Sequence, residues 1–230
     1  MLTWKFVKHY LINLEFMNNP IFISYHTGSP YYTECANKLV SQVEKLGGRI
    51  IMEKVQDTGY YWKNTLKKPK FILDKLNEIK EDLIWIDADT NLLGYTDCMK
   101  NWNSDIFAAS HTGDLQGIKA SPLGVKYNEK MLDLFSKFSD LCNSKVSTNN
   151  VDLDHDILKY EILPLYKEKI SIEILGCGGS SVDYTDGKYI KNGVSRVLNK
   201  GAETKITMTK NQNRAHQFNS MSMENFKSYE

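Results

Sequence analysis

In the stretch "EDLIWIDADT" (residues 81–90), four apolar residues, Leu83 to Ile86, run directly into two aspartates separated by one alanine. Two carboxylates at i and i+2 of an extended chain lie on one face. Where the chain turns at a strand end, both can approach one ion, directly or through water. Hard oxygen ligands select Mg²⁺ or Mn²⁺, which take one or two protein carboxylates and leave room for substrate phosphates. The competing chemistry is plainer: Asp87 and Asp89 cap a turn before "TNLLG", and for an isolated D-x-D that reading prevails. The surrounding elements decide between the two.

"PIFISY" (20–25) is a short β-branched and aromatic run and reads as a buried strand. "HTGSP" follows as a loop. Ser29 and Pro30 then suit a helix start, serine at the cap and proline in the first turn. Ala36, Leu39, Val40, Val43 and Leu46 recur at helical spacing until Gly47 and Gly48 end the helix. "RIIMEKV" (49–55) is the next strand, so the chain opens as a βαβ unit, which implies a parallel sheet. A loop, "QDTGYYWKNTLKKP", leads to a second helix carrying Phe71, Ile72, Leu76 and Ile79. "LIWI" is apolar throughout, as a central parallel strand buried on both faces should be. Ligands of open α/β sheets bind outside the carboxyl ends of the strands. "HTGSP" and the aspartates share that edge.

Beyond residue 90, "DIFAAS" (105–110) and "GIKASPLGVKY" (117–127) read as strands, the second interrupted by Pro122 and Gly124. Met131, Leu134, Phe135, Phe138 and Leu141 define a helix. "DHDILKYEIL" (154–163) is a short helix stopped by Pro164, and "ISIEILG" (170–176) is a further strand.

With 230 residues the chain is long enough for one sizeable core. The expected division is an N-terminal extension over 1–19, a catalytic domain over 20–200 with halves at 20–90 and 91–200, and a polar tail over 201–230. Charges nearly cancel, 29 Lys and Arg against 28 Asp and Glu, so no global field recruits nucleic acid or a membrane. Lys188, Lys191, Arg196, Lys200, Lys205, Lys210 and Arg214 make a local basic region. The four cysteines show no C-x-x-C spacing, which argues against a zinc site and for a reducing cytoplasm. No run of about 18 apolar residues exists to span a bilayer, so no integral membrane association is expected.

A D-x-D after a hydrophobic strand, about 60 residues beyond a first strand with a Thr-Gly loop, resembles the GT-A glycosyltransferases, the nucleotide-diphospho-sugar transferases. "SYHTGSPYYTECANKLVSQVEKLG" is similar to that family's first nucleotide-binding loop and helix. "GYYWKNTLKKPKFILDKLNEIKEDLIWIDADT" is similar to its aromatic-Lys-Pro stretch and metal strand, and the resemblance covers roughly residues 20–175. It implies an α/β fold, a single Rossmann-like domain with a mixed, mainly parallel central sheet flanked by helices. It also implies a nucleotide-diphosphate sugar as donor and Mn²⁺ or Mg²⁺ as cofactor.

Carried over residue by residue, the resemblance puts Asp87 and the adjoining Ala88 at the ribose or sugar, Asp87 also touching the ion. Asp89 would ligate the metal that bridges the phosphates. His26, Thr27 and Gly28 would lie under the nucleoside, with Tyr31 or Tyr32 stacking nearby and Asp57 bonding the base or ribose. Lys63, Lys67 and Lys68 are candidates to face the diphosphate, although the residue pattern favours a solvated helix or loop face for each. Ser121 to Gly124 would shape the donor-sugar pocket. "DLDHDIL" makes Asp154 a candidate catalytic base or acceptor contact, with His155 and Asp156 behind it; Asp152 or Asp154 serves equally as a helix cap. The sequence departs from the family at the third metal ligand, often a histidine. The corresponding position is Asn192, leaving a weak amide ligand, water, or a residue such as His216.

The chemistry implied is transfer of a sugar to a hydroxyl of a glycan, a protein or a modified DNA base. A sugar-phosphate nucleotidyltransferase of similar fold is the alternative, but such enzymes carry a cation in the loop after the first strand, and "HTGSPYY" has none. A non-catalytic nucleotide-sugar-binding module is the third reading.

Overall fold

The computed structural model describes residues 20–95, 97–110, 114–175, 183–184 and 190–192. The apolar run at its start forms β1 (Ile21–His26). Helix α1 (Pro30–Lys45) begins where the Ser29 hydroxyl accepts from the Tyr32 N–H at 3.3 Å, with proline in the first turn. β2 (Arg49–Lys54) returns parallel to β1, as the opening βαβ pattern requires. β3 (Leu83–Trp85) pairs with the other side of β1, also parallel.

Alternation along these strands assigns the two faces. Phe22, Ile84 and Ile86 point to one side, against Leu39 and Val43 of α1. Ile23, Tyr25, Leu83 and Trp85 point to the other, where α3 (Lys68–Ile79) and α5 (Glu129–Ser147) supply Ile72, Leu76, Phe135 and Phe138. Each such fully buried side chain contributes about 1.5–3 kcal/mol. The result is a helix–sheet–helix sandwich.

The central sheet runs in the order β2-β1-β3-β6-β5-β7, completed by β5 (Ile106–Ser110), which follows the short α4 (Asp97–Asn101), by β6 (Ile118–Val125) and by β7 (Ile172–Leu175). β6 is antiparallel to both its neighbours, while β5 and β7 are parallel to each other. One reversed strand in a mainly parallel sheet matches the expected mixed α/β class. A smaller sheet, β4-β9-β8, is built from β4 (Thr90–Leu92), β8 (Asp183–Tyr184) and β9 (Ile190–Asn192).

Three local expectations are corrected. The stretch read as a loop before the second helix contains α2 (Tyr61–Thr65), pinned by the buried Trp62. β6 continues through Pro122 and Gly124. Its register with β5 passes from Leu123 to Ile118, so no paired position there needs the N–H that proline lacks. At Gly124 a Cβ would come within 2.0 Å of the Phe107 ring, so glycine is what lets the strands close. Finally, Pro164 does not stop its helix. α6 (Asp154–Ile157) passes into a π-helical turn (Leu158–Ile162) and on to α7 (Leu163–Tyr166), the widened turn carrying the backbone past the proline.

Among the described residues, no helix is long and apolar enough to cross a membrane. The extension over 1–19, the tail over 201–230, His216, and the basic cluster apart from the backbone of Lys191 lie outside the described residues.

Candidate active site

Because β1, β2 and β3 are parallel, their carboxyl ends share one edge. That edge receives the loop after His26, the end of β2 at Lys54, and the aspartates after Trp85. The reversed β6 arrives with its N-terminal half, bringing Ala120 and Ser121.

The strand ends at Trp85, and the Thr90 N–H donates back to the Asp87 carbonyl at 3.0 Å. A turn, not strand alternation, therefore sets the two carboxylates. The Asp87 N–H donates to Ser121 Oγ at 2.9 Å, and its Oδ1 accepts from the Trp85 indole Nε1–H at 2.9 Å. The same Oδ1 lies 3.0 Å from Lys68 Nζ.

Lys68 is the largest departure from expectation. It is 5% exposed, not solvated. Its ammonium contacts Asp87, contacts Asp154 Oδ2, donates to the Ala120 carbonyl at 3.1 Å, and lies 5.2 Å from the Trp85 ring centre. Helical spacing carries the signal: counting back from Leu76 and Ile72 in steps of four puts Lys68 on the buried face. Lys63 lies over the rings of Tyr60 and Trp62, and Lys67 donates to the Gln56 carbonyl; both are partly exposed.

Asp154 is 4% exposed beneath Lys68. Burial alone would raise its pKa. The Lys68 charge, with His155 adding to it, outweighs that and holds the carboxyl well below the usual range. Burial likewise works against the Lys68 charge, but Asp154 and Asp87 override it and push the ammonium above an ordinary lysine. His155 lies beside two carboxylates, Nδ1 at 3.7 Å from Asp154 and Nε2 at 3.6 Å from Asp156.

Asp89 is half-buried, near enough to the start of α1 for its charge to act there. Burial comes first in raising the pKa values of Tyr32 and Cys35, the latter to about 11, and the Asp89 charge adds to both. Tyr31 and Tyr32 meet edge to face at 5.3 Å. Ala88, between the aspartates, is buried.

In the first loop, His26, Thr27 and Gly28 are half-buried. Gly28 has φ +86°, and a Cβ there would come within 2.2 Å of Lys54 Cε and 2.9 Å of its Nζ. Lys54 thus lies across the loop, and after burial its charge is what lowers the His26 pKa. Asp57 is spent within its own loop, accepting from the Gly59 N–H and from Asn64 Nδ2, both at 2.8 Å. Asn192 enters through the backbone: β9 pairs antiparallel with β4, which sets Asn192 opposite Thr90, the residue after Asp89.

Asp87, Asp89, Lys68, Asp154, Ser121 and the first loop thus meet at one edge. Among the described residues, no group of three or more His, Cys, Asp or Glu can hold a metal. Two partly exposed carboxylates nonetheless fit a hard divalent cation that takes its remaining ligands from substrate phosphates and water.

No protein-family model matches the chain, and no curated protein sequence matches it. Solved structures do. A glycosyltransferase involved in the glycosylation of the major capsid of PBCV-1 aligns with TM-score 0.53 at 11% identity, over 68% of this chain and 80% of that one. The fold is one that glycosyltransferases use. The apo-form glycosyltransferase GlyE of Streptococcus pneumoniae TIGR4 aligns with TM-score 0.43 at 16% identity, over 67% of this chain and 45% of that one.

Proposed function

We propose that the chain is a metal-dependent glycosyltransferase, moving a sugar from a nucleotide-diphosphate sugar, with UDP as the first nucleotide to test, to a hydroxyl acceptor. The observation that carries this reading is the pair Asp87 and Asp89 at the end of the central strand, on the edge that also bears the His26–Gly28 loop. The shared fold supports it.

In this reading, Asp89 with Asp87 holds Mn²⁺ or Mg²⁺, and Asn192 is the candidate third ligand. The ion supplies Lewis-acid stabilisation of the departing diphosphate. The His26–Gly28 loop lies under the nucleoside, and Tyr31 or Tyr32 gives it an aromatic wall. Ser121 fixes the main chain of Asp87 next to the sugar. A glycan, a protein or a modified DNA base remains the acceptor class.

Hydrolysis of UDP-sugars with added Mn²⁺ tests the proposal. Asp89→Ala is expected to lose at least about 10²-fold in rate, since Lewis-acid stabilisation is worth several kcal/mol. Wild type that neither binds nor turns over any nucleotide sugar with any divalent ion would sink it.

One observation favours a second reading. Lys54, reaching across Gly28, supplies the cation that the first loop lacks in sequence, which suits a sugar-phosphate nucleotidyltransferase. Release of pyrophosphate from UTP and a sugar 1-phosphate would select that reading.

A further inference from the structure

We infer that Lys68 is a positioning residue of the proposed site: it fixes the Asp87 carboxylate, and Asp154 is its buried counter-ion and not the proton acceptor. The role at Asp87 rests on the glycosyltransferase reading, whereas the geometry does not.

The Lys68 ammonium donates to the Ala120 carbonyl at 3.1 Å and forms ion pairs with two carboxylates, Asp87 Oδ1 at 3.0 Å and Asp154 Oδ2 in contact. The Trp85 ring lies alongside and helps enclose the head group. Asp87 Oδ1 is in turn held from two directions, by Lys68 and by the Trp85 indole. Such a shell is what a carboxylate near a reacting centre needs to keep its geometry.

The position of Lys68 is otherwise unfavourable. It opens α3, where the helix dipole disfavours a cation, and that first turn has no acidic residue. Burial disfavours the charge again. Carboxylates from two other segments, Asp87 after β3 and Asp154 at the start of α6, offset both costs. Asp154, for its part, is badly placed for proton transfer. A general base must come within hydrogen-bond reach of the acceptor hydroxyl, and Asp154 lies buried with Oδ2 against the ammonium.

The Trp85 indole N–H reports directly on Asp87. In ¹H–¹⁵N spectra of the full chain, Asp154→Asn and Lys68→Met are expected to shift the Trp85 indole signal and speed its exchange with solvent. The signals of Trp62 and Trp102 should stay in place. An unmoved Trp85 signal in folded Asp154→Asn protein would overturn the inference. In UDP-sugar hydrolysis, Asp154→Asn should cost no further rate in a Lys68→Met background, because coupled residues are non-additive. A base would show its full loss of about 10²–10⁴-fold in both backgrounds, which also overturns the inference. The double variant removes both buried charges and keeps the comparison open should a single variant fold poorly. Wild type without turnover sinks the donor reading instead, while the Trp85 signal still decides the positioning role.

Discussion

Helix α3 carries two lysines on its buried face about two turns apart, Lys68 and Lys75, and each meets two carboxylates. Lys75 pairs with Glu53 at 2.5 Å and Glu78 at 2.6 Å, partners whose side chains are 44% and 63% exposed. Lys68 pairs with the buried Asp154 and with Asp87, whose side chain is 38% exposed. Each ammonium also lies near an aromatic face, Phe71 for Lys75 and Trp85 for Lys68. The residue type, helix and face are the same; the difference is whether water reaches the partners. Lys75 runs its stem along the core and meets its counter-ions at the surface. Lys68 is enclosed together with one of its own. A charge pair of the first kind is interchangeable, whereas the second kind commits three segments to one arrangement.

Removing each lysine tests that contrast. Lys68→Met leaves Asp154 buried without its cation and should cost about 3–5 kcal/mol in denaturant unfolding. Equal costs at Lys68 and Lys75 would break the distinction. The pH dependence sharpens it. Asp154 has a folded pKa below its unfolded value, so its contribution is complete above the unfolded value and is lost as pH falls through the folded one. Wild-type stability should therefore drop below about pH 4, and Asp154→Asn should lack that component. Gly28→Ala, at φ +86° and against Lys54, should cost about 1–2 kcal/mol from the left-handed backbone alone. It should also weaken binding of UDP measured by calorimetry. Lys75→Met should be the mildest, at most about 1 kcal/mol, because Glu53 and Glu78 can be rehydrated.

The scaffold was readable because it depends on period and on strong local signals. Phe22, Ile23 and the run from Leu83 to Ile86 announce buried strands, and Ser29-Pro30 announces a helix start, whatever lies far away. The position of the aspartate pair was readable for a similar reason, since it follows from the strand before it. The Asp87–Lys68–Asp154 contact was not, because it joins segments far apart in sequence, and a lysine beside a proline looks like surface until the helix face is counted. Lys54 is hidden in the sequence for the same reason: the loop's cation comes from the neighbouring strand, and only the parallel pairing of β1 with β2 brings it there. Pro122 and Pro164 misled for the opposite reason. Each breaks a local rule that a skipped register or a π turn satisfies in space.

The reach of Lys68 also constrains how the molecule assembles. Its partners follow β3 and open α6, so enclosing this ammonium takes segments from both halves of the chain. The buried charge thus ties the early and late parts of the chain together at the candidate site.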